Sequence, residues 1–256
     1  MLYAGGLILV YVGALAAFWP SGDDDPTSAI FVFLMFAPTA CALLARFAGP
    51  GVIRWGRPSW WILAGLIPAA AALVAYLFGA VVGIDTEDPE VLTKALSSAA
   101  LSITGASLLA VGEEIGWRGF LWPVLRGRFD FVRTAGLVGS VWWLYHVPLV
   151  LFGWYGSLGG LPAFTVAIAG FTLFVGVLTD RAASIWPSVM AHGAWNALVA
   201  TSFAATEGDD SVPAFAGSDA LLGEFGWLAA ISSLILGVAA TVWHLRRPLP
   251  RSSSRS

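Results

Sequence analysis

Apolar residues in this chain come in long unbroken blocks, not in alternation and not as one stripe of a helix. Eight such runs stand out: residues 2–19, 27–45, 60–84, 95–112, 134–152, 161–179, 182–204 and 225–243. Most reach the ~17–25 residues that a helix needs to cross a bilayer. Lipid offers no partner for an open strand edge, so each run is predicted to be a helix. The dyad alternation of a membrane barrel is absent. The fourth run is the least apolar, with Ser97, Ser98, Ser102, Thr104 and Ser107. Such residues suit a helix packed among other helices. The fold class expected is all-α, a polytopic membrane bundle of about eight transmembrane helices. Three spans fall in residues 1–94, a core in 95–204, and the last helix with a short tail in 205–256.

Composition strengthens the membrane reading. Of the 256 residues, 58% are hydrophobic and 11% charged, and the mean hydropathy is +0.79. A soluble domain carries roughly 25% charged residues. No basic face or stripe marks a nucleic-acid reader, and the composition points to the bilayer as partner. Cys41 is the one cysteine, which rules out an intramolecular disulfide. No Lys or Arg precedes the first run and no small-residue cleavage site ends it, so it reads as a retained helix.

Charge is distributed unevenly. With eight spans, 12 of the 13 basic residues fall on one side, in the connections holding Arg46, Arg54, Arg57, Arg118, Arg126, Arg128, Arg133 and Arg181 and in the tail after residue 243. Lys94 falls opposite, among most of the acidic residues, Glu224 included. The positive-inside rule then puts both termini in the cytoplasm of a multi-pass protein, with the plasma membrane as the expected location.

Three polar blocks interrupt the apolar pattern: Glu113-Glu114-Ile-Gly-Trp-Arg118, Trp142-Trp-Leu-Tyr-His146 and His192-Gly-Ala-Trp-Asn196. An ionised side chain at membrane depth costs about 2.5–3.5 kcal/mol on insertion scales, so these groups are expected to pair and face the bundle interior. Glu114 and Arg118 stand i,i+4 and can pair on one face. Glu113 points about 100° away and has no intrahelical cation. His192 and Asn196 also share a face. Counting along the helices puts Glu113, His146, His192 and Asn196 at similar depth, in the half nearer the arginines. A carboxylate beside imidazole can act as a general base on water. His and Asn can donate to the oxyanion of a tetrahedral intermediate. Alternatively, Glu113, His146 and His192 make an open zinc site. Either arrangement hydrolyses an amide. The neighbouring aromatics read as packing, His244 as interfacial, and Gly112-x-x-x-Gly116 as a close helix contact.

In this order the blocks resemble the CPBP family, also called the Abi or type II CAAX prenyl protease family of intramembrane endopeptidases. Its pattern is E-E-x-x-x-R, then F-x-x-x-H, then H-x-x-x-N/D on successive membrane helices. The first and third blocks match fully, and Trp142 replaces the Phe of the second. The resemblance covers residues 95–204. It implies an α-helical intramembrane protease that cuts a peptide or membrane-protein substrate near the cytoplasmic membrane face, in which Glu113 activates water and His146, His192 and Asn196 complete the site, with Glu114 and Arg118 in support. Both metal-dependent and glutamate-type mechanisms have been described for the family, and the sequence leaves zinc open. A membrane immunity or scaffold protein and an ion-coupled transporter are the alternatives. Against the latter stands the absence of an internal repeat.

Overall fold

The computed structural model describes residues 2–18, 27–45, 54–79, 85–86, 89–202, 215–216, 218 and 220–247. Its helices are α1 Leu2–Phe18, α2 Thr27–Leu44, α3 Pro58–Gly79, α4 Pro89–Glu114, α5 Trp122–Arg126, α6 Phe131–Leu151, α7 Leu161–Ala182, α8 Trp186–Ala194 and α9 Trp227–Arg246. Two π-helical stretches extend this set. Ile115–Leu121 joins α4 to α5 in one rod, and Trp195–Ser202 continues α8. The one strand pairing among the described residues is two residues long, Asp85–Thr86 with Phe215–Ala216.

Among the described residues five helical segments are long and apolar enough to span a bilayer: Pro58–Gly79, Leu96–Arg126, Phe131–Leu151, Leu161–Ala182 and Trp227–Arg246. The expected eight spans are matched for these five. Shorter apolar helices are Tyr3–Ala14 and Val32–Leu44. Large apolar side chains such as Leu9, Leu66, Val74, Leu101 and Ile235 stand exposed, the surface an integral membrane protein gives to lipid.

Small residues set the helix spacing. A Cβ on Gly237 of α9 would lie 2.0 Å from the Gly170 carbonyl oxygen of α7, and Ser233 donates to the Ala167 carbonyl at 2.9 Å. A Cβ on Gly112 would sit 2.6 Å from the Met35 carbonyl oxygen, and one on Gly116 2.3 Å from the Pro38 side chain. The Gly112-x-x-x-Gly116 contact is therefore made with α2. Such glycine approaches are what bring membrane helices together where no hydrophobic force does.

Among the described residues the arginines gather at one end of the bundle, with one exception. Arg126 pairs with Asp180 at 3.0 Å, and Arg181 donates to His244 Nδ1 at 2.9 Å. Trp55 stacks on Trp186 at 4.6 Å, joining the start of α3 to that of α8. His244, expected at the interface, is buried here between Phe131 and Asp180. The exception is Arg118. It lies in the π-helical stretch inside a continuous rod and is fully buried, so it does not count among the connecting charges. At the opposite end, Tyr155 and Tyr76 reach the segment that carries Gly223 and Glu224.

Candidate active site

Both motif blocks that carry charge sit where α geometry passes into π geometry. Glu113 and Glu114 close α4, and His192 stands three residues before the π-helical stretch that holds Asn196. Such widened turns re-aim side chains and recur at functional sites. Gly193 brings the two blocks together. A Cβ there would meet Ser107 Oγ at 2.0 Å and the Ser107 backbone at 2.7 Å, so α8 lies directly on α4.

The adjacent glutamates face different neighbours. Glu114 Oε1 accepts from Arg118 Nη1 at 2.9 Å and from His192 Nδ1 at 3.0 Å. The expected pair with Arg118 is present, and the carboxylate also fixes the histidine ring. Among the described residues Arg118 Nε and Nη2 have no hydrogen-bond partner. Its cation rests on Glu114 and on the face of Trp142, 4.3 Å from the ring centroid.

Glu113 has no cation beside it on its helix, as expected, but it is firmly held. Its Oε2 accepts from Trp117 Nε1 at 2.9 Å and from Trp142 Nε1 at 2.8 Å. These two aromatics, read from sequence as packing, are hydrogen-bond donors. Trp142 stands where the family pattern has Phe, so the departure supplies an N–H that phenylalanine lacks.

His146 Nδ1 lies 2.8 Å from the Trp142 carbonyl oxygen. A carbonyl only accepts, so Nδ1 carries the proton and Nε2 of the neutral ring is an acceptor. His192 likewise turns its Nδ1–H to an oxygen that only accepts, Oε1 of the Glu114 carboxylate.

Glu113, His146, His192 and Asn196 all line one cavity of about 180 Å³. Apart from Glu224, its other walls are apolar and aromatic, from Leu34 and Met35 of α2 to Phe164 and Phe171 of α7. Glu114 and Arg118 stand behind it, reaching it through His192. The cavity's depth differs from expectation. His146 is the sixteenth of the 21 residues of α6, counted from the arginine end. Phe164, Ala167, Ile168 and Phe171 come from the opposite-end half of α7. The cavity therefore lies toward the arginine-poor end. The reason is that α6 begins at Phe131, before the apolar run, while the rod holding Glu113 continues to Arg126.

A second carboxyl lines the cavity. Glu224, counted from sequence among the acidic connecting residues, is buried. Tyr155 donates to its Oε1 in a short hydrogen bond, and Trp195 Nε1 donates to Oε2 at 3.3 Å. Burial pushes the Glu224 carboxyl above its ordinary range, opposed by the Tyr155 hydrogen bond and by His146. Burial also pushes the Tyr155 hydroxyl well up, so it stays a donor. Polar content alone placed Glu224 outside; the aromatic residue following it, Phe225, is the signal that it packs inward, stacked on Phe164 at 4.4 Å.

Among the described residues no group of three His, Cys, Asp or Glu side chains is gathered as an ion would need.

Residues 94–198 match the family model of Rce1-like type II CAAX prenyl endopeptidases. The chain resembles that family where its three blocks lie. A stretch of 43 residues is 40% identical to CAAX prenyl protease 2 of Methanococcus maripaludis. It covers 17% of this chain and 16% of the length of that relative. The Rce1-like segment contains Glu113, His146, His192 and Asn196, and leaves Glu224 outside.

Proposed function

We propose that the chain is an Rce1-like intramembrane endopeptidase that hydrolyses a peptide bond in this cavity. The observation that carries the reading is the convergence of Glu113, His146, His192 and Asn196 on one cavity inside a bundle of membrane helices. Glu113 takes a proton from water, with Oε2 fixed by the two indoles, and the hydroxide adds to the scissile carbonyl carbon. The oxyanion accepts from the Asn196 amide and from Nε2–H of a protonated His192, whose charge the Glu114 carboxylate supports. His146, neutral at Nε2, accepts and relays protons. The proton held by Glu113 passes to the leaving nitrogen as the C–N bond breaks. In this reading Glu113 is the base and the histidines are proton carriers and donors, so water activation calls for no metal.

The substrate is a peptide segment that reaches the arginine-poor end of the bundle, and the apolar lining favours an apolar stretch. The prenyl group in the relative's name is no part of this proposal. The decisive experiment is cleavage of a peptide library by purified protein beside Glu113→Gln. Loss of the base lowers turnover by about 10²–10⁴-fold. Equal turnover by a folded Glu113→Gln protein would overturn the assignment. Stoichiometric zinc, with activity lost to chelator and restored by zinc, would overturn its metal-free form.

A further inference from the structure

The cavity has an unbalanced charge. Among the described residues its lining holds two carboxyls, Glu113 and Glu224, two histidines, and no Lys or Arg. The buried cation of the region, Arg118, is committed to Glu114. The donors on Glu224 and Glu113 are a phenol and three indoles, all neutral. Neutral donors solvate a carboxylate without cancelling its charge, and an uncompensated buried charge is costly. His192 is paired with Glu114, and among the described residues no cation stands within ion-pair distance of Glu224, which thus takes up either a proton or a cation brought by a ligand.

Geometry favours the ligand. Glu224 does not hide in packing but faces the same space as Glu113. It is held from two elements, by Tyr155 in the turn after α6 and by Trp195 on the π-helical stretch after α8. A phenol, an indole and the aromatic rings of Phe164 and Phe171 surround a carboxyl at one wall. Such a wall suits the methylene stem and charged head of a long basic side chain.

We propose that Glu224 is a specificity-determining carboxylate that receives a Lys or Arg side chain of the peptide bound in the cavity. This rests on the endopeptidase reading for the occupant being a peptide. In the empty site burial favours the protonated carboxyl, and the arriving ammonium or guanidinium displaces that proton.

The test is binding, separate from catalysis. A set of acetylated, amidated apolar peptides carries one lysine at successive positions, each with a norleucine counterpart. Binding to Glu113→Gln protein in detergent is followed by tryptophan fluorescence. Removing the Glu113 charge makes any remaining preference a report on Glu224. The expected result is one position at which lysine binds roughly tenfold tighter or more than norleucine. That preference disappears in Glu113→Gln/Glu224→Gln and survives in Glu113→Gln/Glu224→Asp. The preference is also lost as pH falls through the titration of Glu224, because its neutral form attracts no cation. The titratable groups facing Glu224 are Tyr155, Tyr76, His146, His192 and Glu113. The acid limb alone does not single out Glu224; loss of the preference in Glu113→Gln/Glu224→Gln does. A preference at no position, no peptide binding, or a preference that survives Glu224→Gln would each overturn the proposal. Should Glu224→Gln fail to fold, Tyr155→Phe takes its place and weakens the preference. If the wild type cleaves nothing yet prefers lysine, the endopeptidase reading falls and the cation site stands.

Discussion

Two adjacent glutamates at one helix end take different neighbours because successive helical residues point about 100° apart. That much was legible in the sequence, and so was the Glu114–Arg118 pair. What spacing within one helix does not show is the partner from another helix, here His192 on Glu114 and Trp142 on Glu113. Trp142 is the joint of the site: its N–H holds Glu113, its face carries Arg118, and its carbonyl takes His146 Nδ1–H. Trp142→Phe keeps the ring and removes the donor. Losing one such hydrogen bond costs about 0.5–1.5 kcal/mol, so cleavage is expected to slow up to about tenfold, read as initial rate on folded protein. Arg118→Ala leaves Glu114 as an uncompensated buried charge. The expected loss is about 3–5 kcal/mol, measured as thermal stability in detergent. Glu114→Gln is predicted to lower activity as well as stability, since it changes the acceptor for His192 Nδ1–H. An unchanged rate in stable Glu114→Gln protein would remove that carboxylate from ring positioning.

At the scale of elements, the apolar runs located the helices well and their ends less well. The run at residues 95–112 stops where charge appears, yet the rod continues to Arg126, because Glu114, Arg118 and Trp142 satisfy one another inside it. Burial of charge by mutual pairing has no signature in hydropathy, and the depth of the cavity was misjudged for that reason. Glu224 is hidden from hydropathy similarly, since it ends a polar connection, and its burial shows only in the packing of residues 220–226. The joining of α4 to α8 depends on the absent side chain of Gly193. Gly193→Ala is expected to push His192 off Glu114 and destabilise the bundle by about 1–3 kcal/mol, as overpacking does. Gly136→Ala on α6, where a Cβ meets nothing within 4 Å, serves as the control. Its expected effect on melting and cleavage is small. Equal behaviour of the two variants would show that the α4–α8 contact relaxes without consequence for the site.

Over the whole molecule, the two ends of the bundle differ in chemistry, and this difference gives the site a side. One end gathers Arg126, Arg181 and Arg247 around Asp180, His244 and Trp243. The other brings Tyr155 and Glu224 over the cavity. A bilayer sorts such ends, since cytoplasmic connections carry the excess of Lys and Arg. The arginine-rich end is therefore predicted to be cytoplasmic, with the cavity nearer the opposite face. The prediction is tested by cysteine accessibility in intact cells, after Cys41→Ser. Ser157 lies exposed in the turn between α6 and α7, and Arg128 lies exposed between α5 and α6. Ser157→Cys is expected to react with a membrane-impermeant maleimide from outside. Arg128→Cys is expected to react only after permeabilisation. The reverse pattern would invert the molecule and put the cavity on the cytoplasmic side. Labelling of both from outside would contradict a fixed orientation. The outcome also fixes which face the peptide approaches, because the cavity's lining is drawn from the arginine-poor halves of α6 and α7.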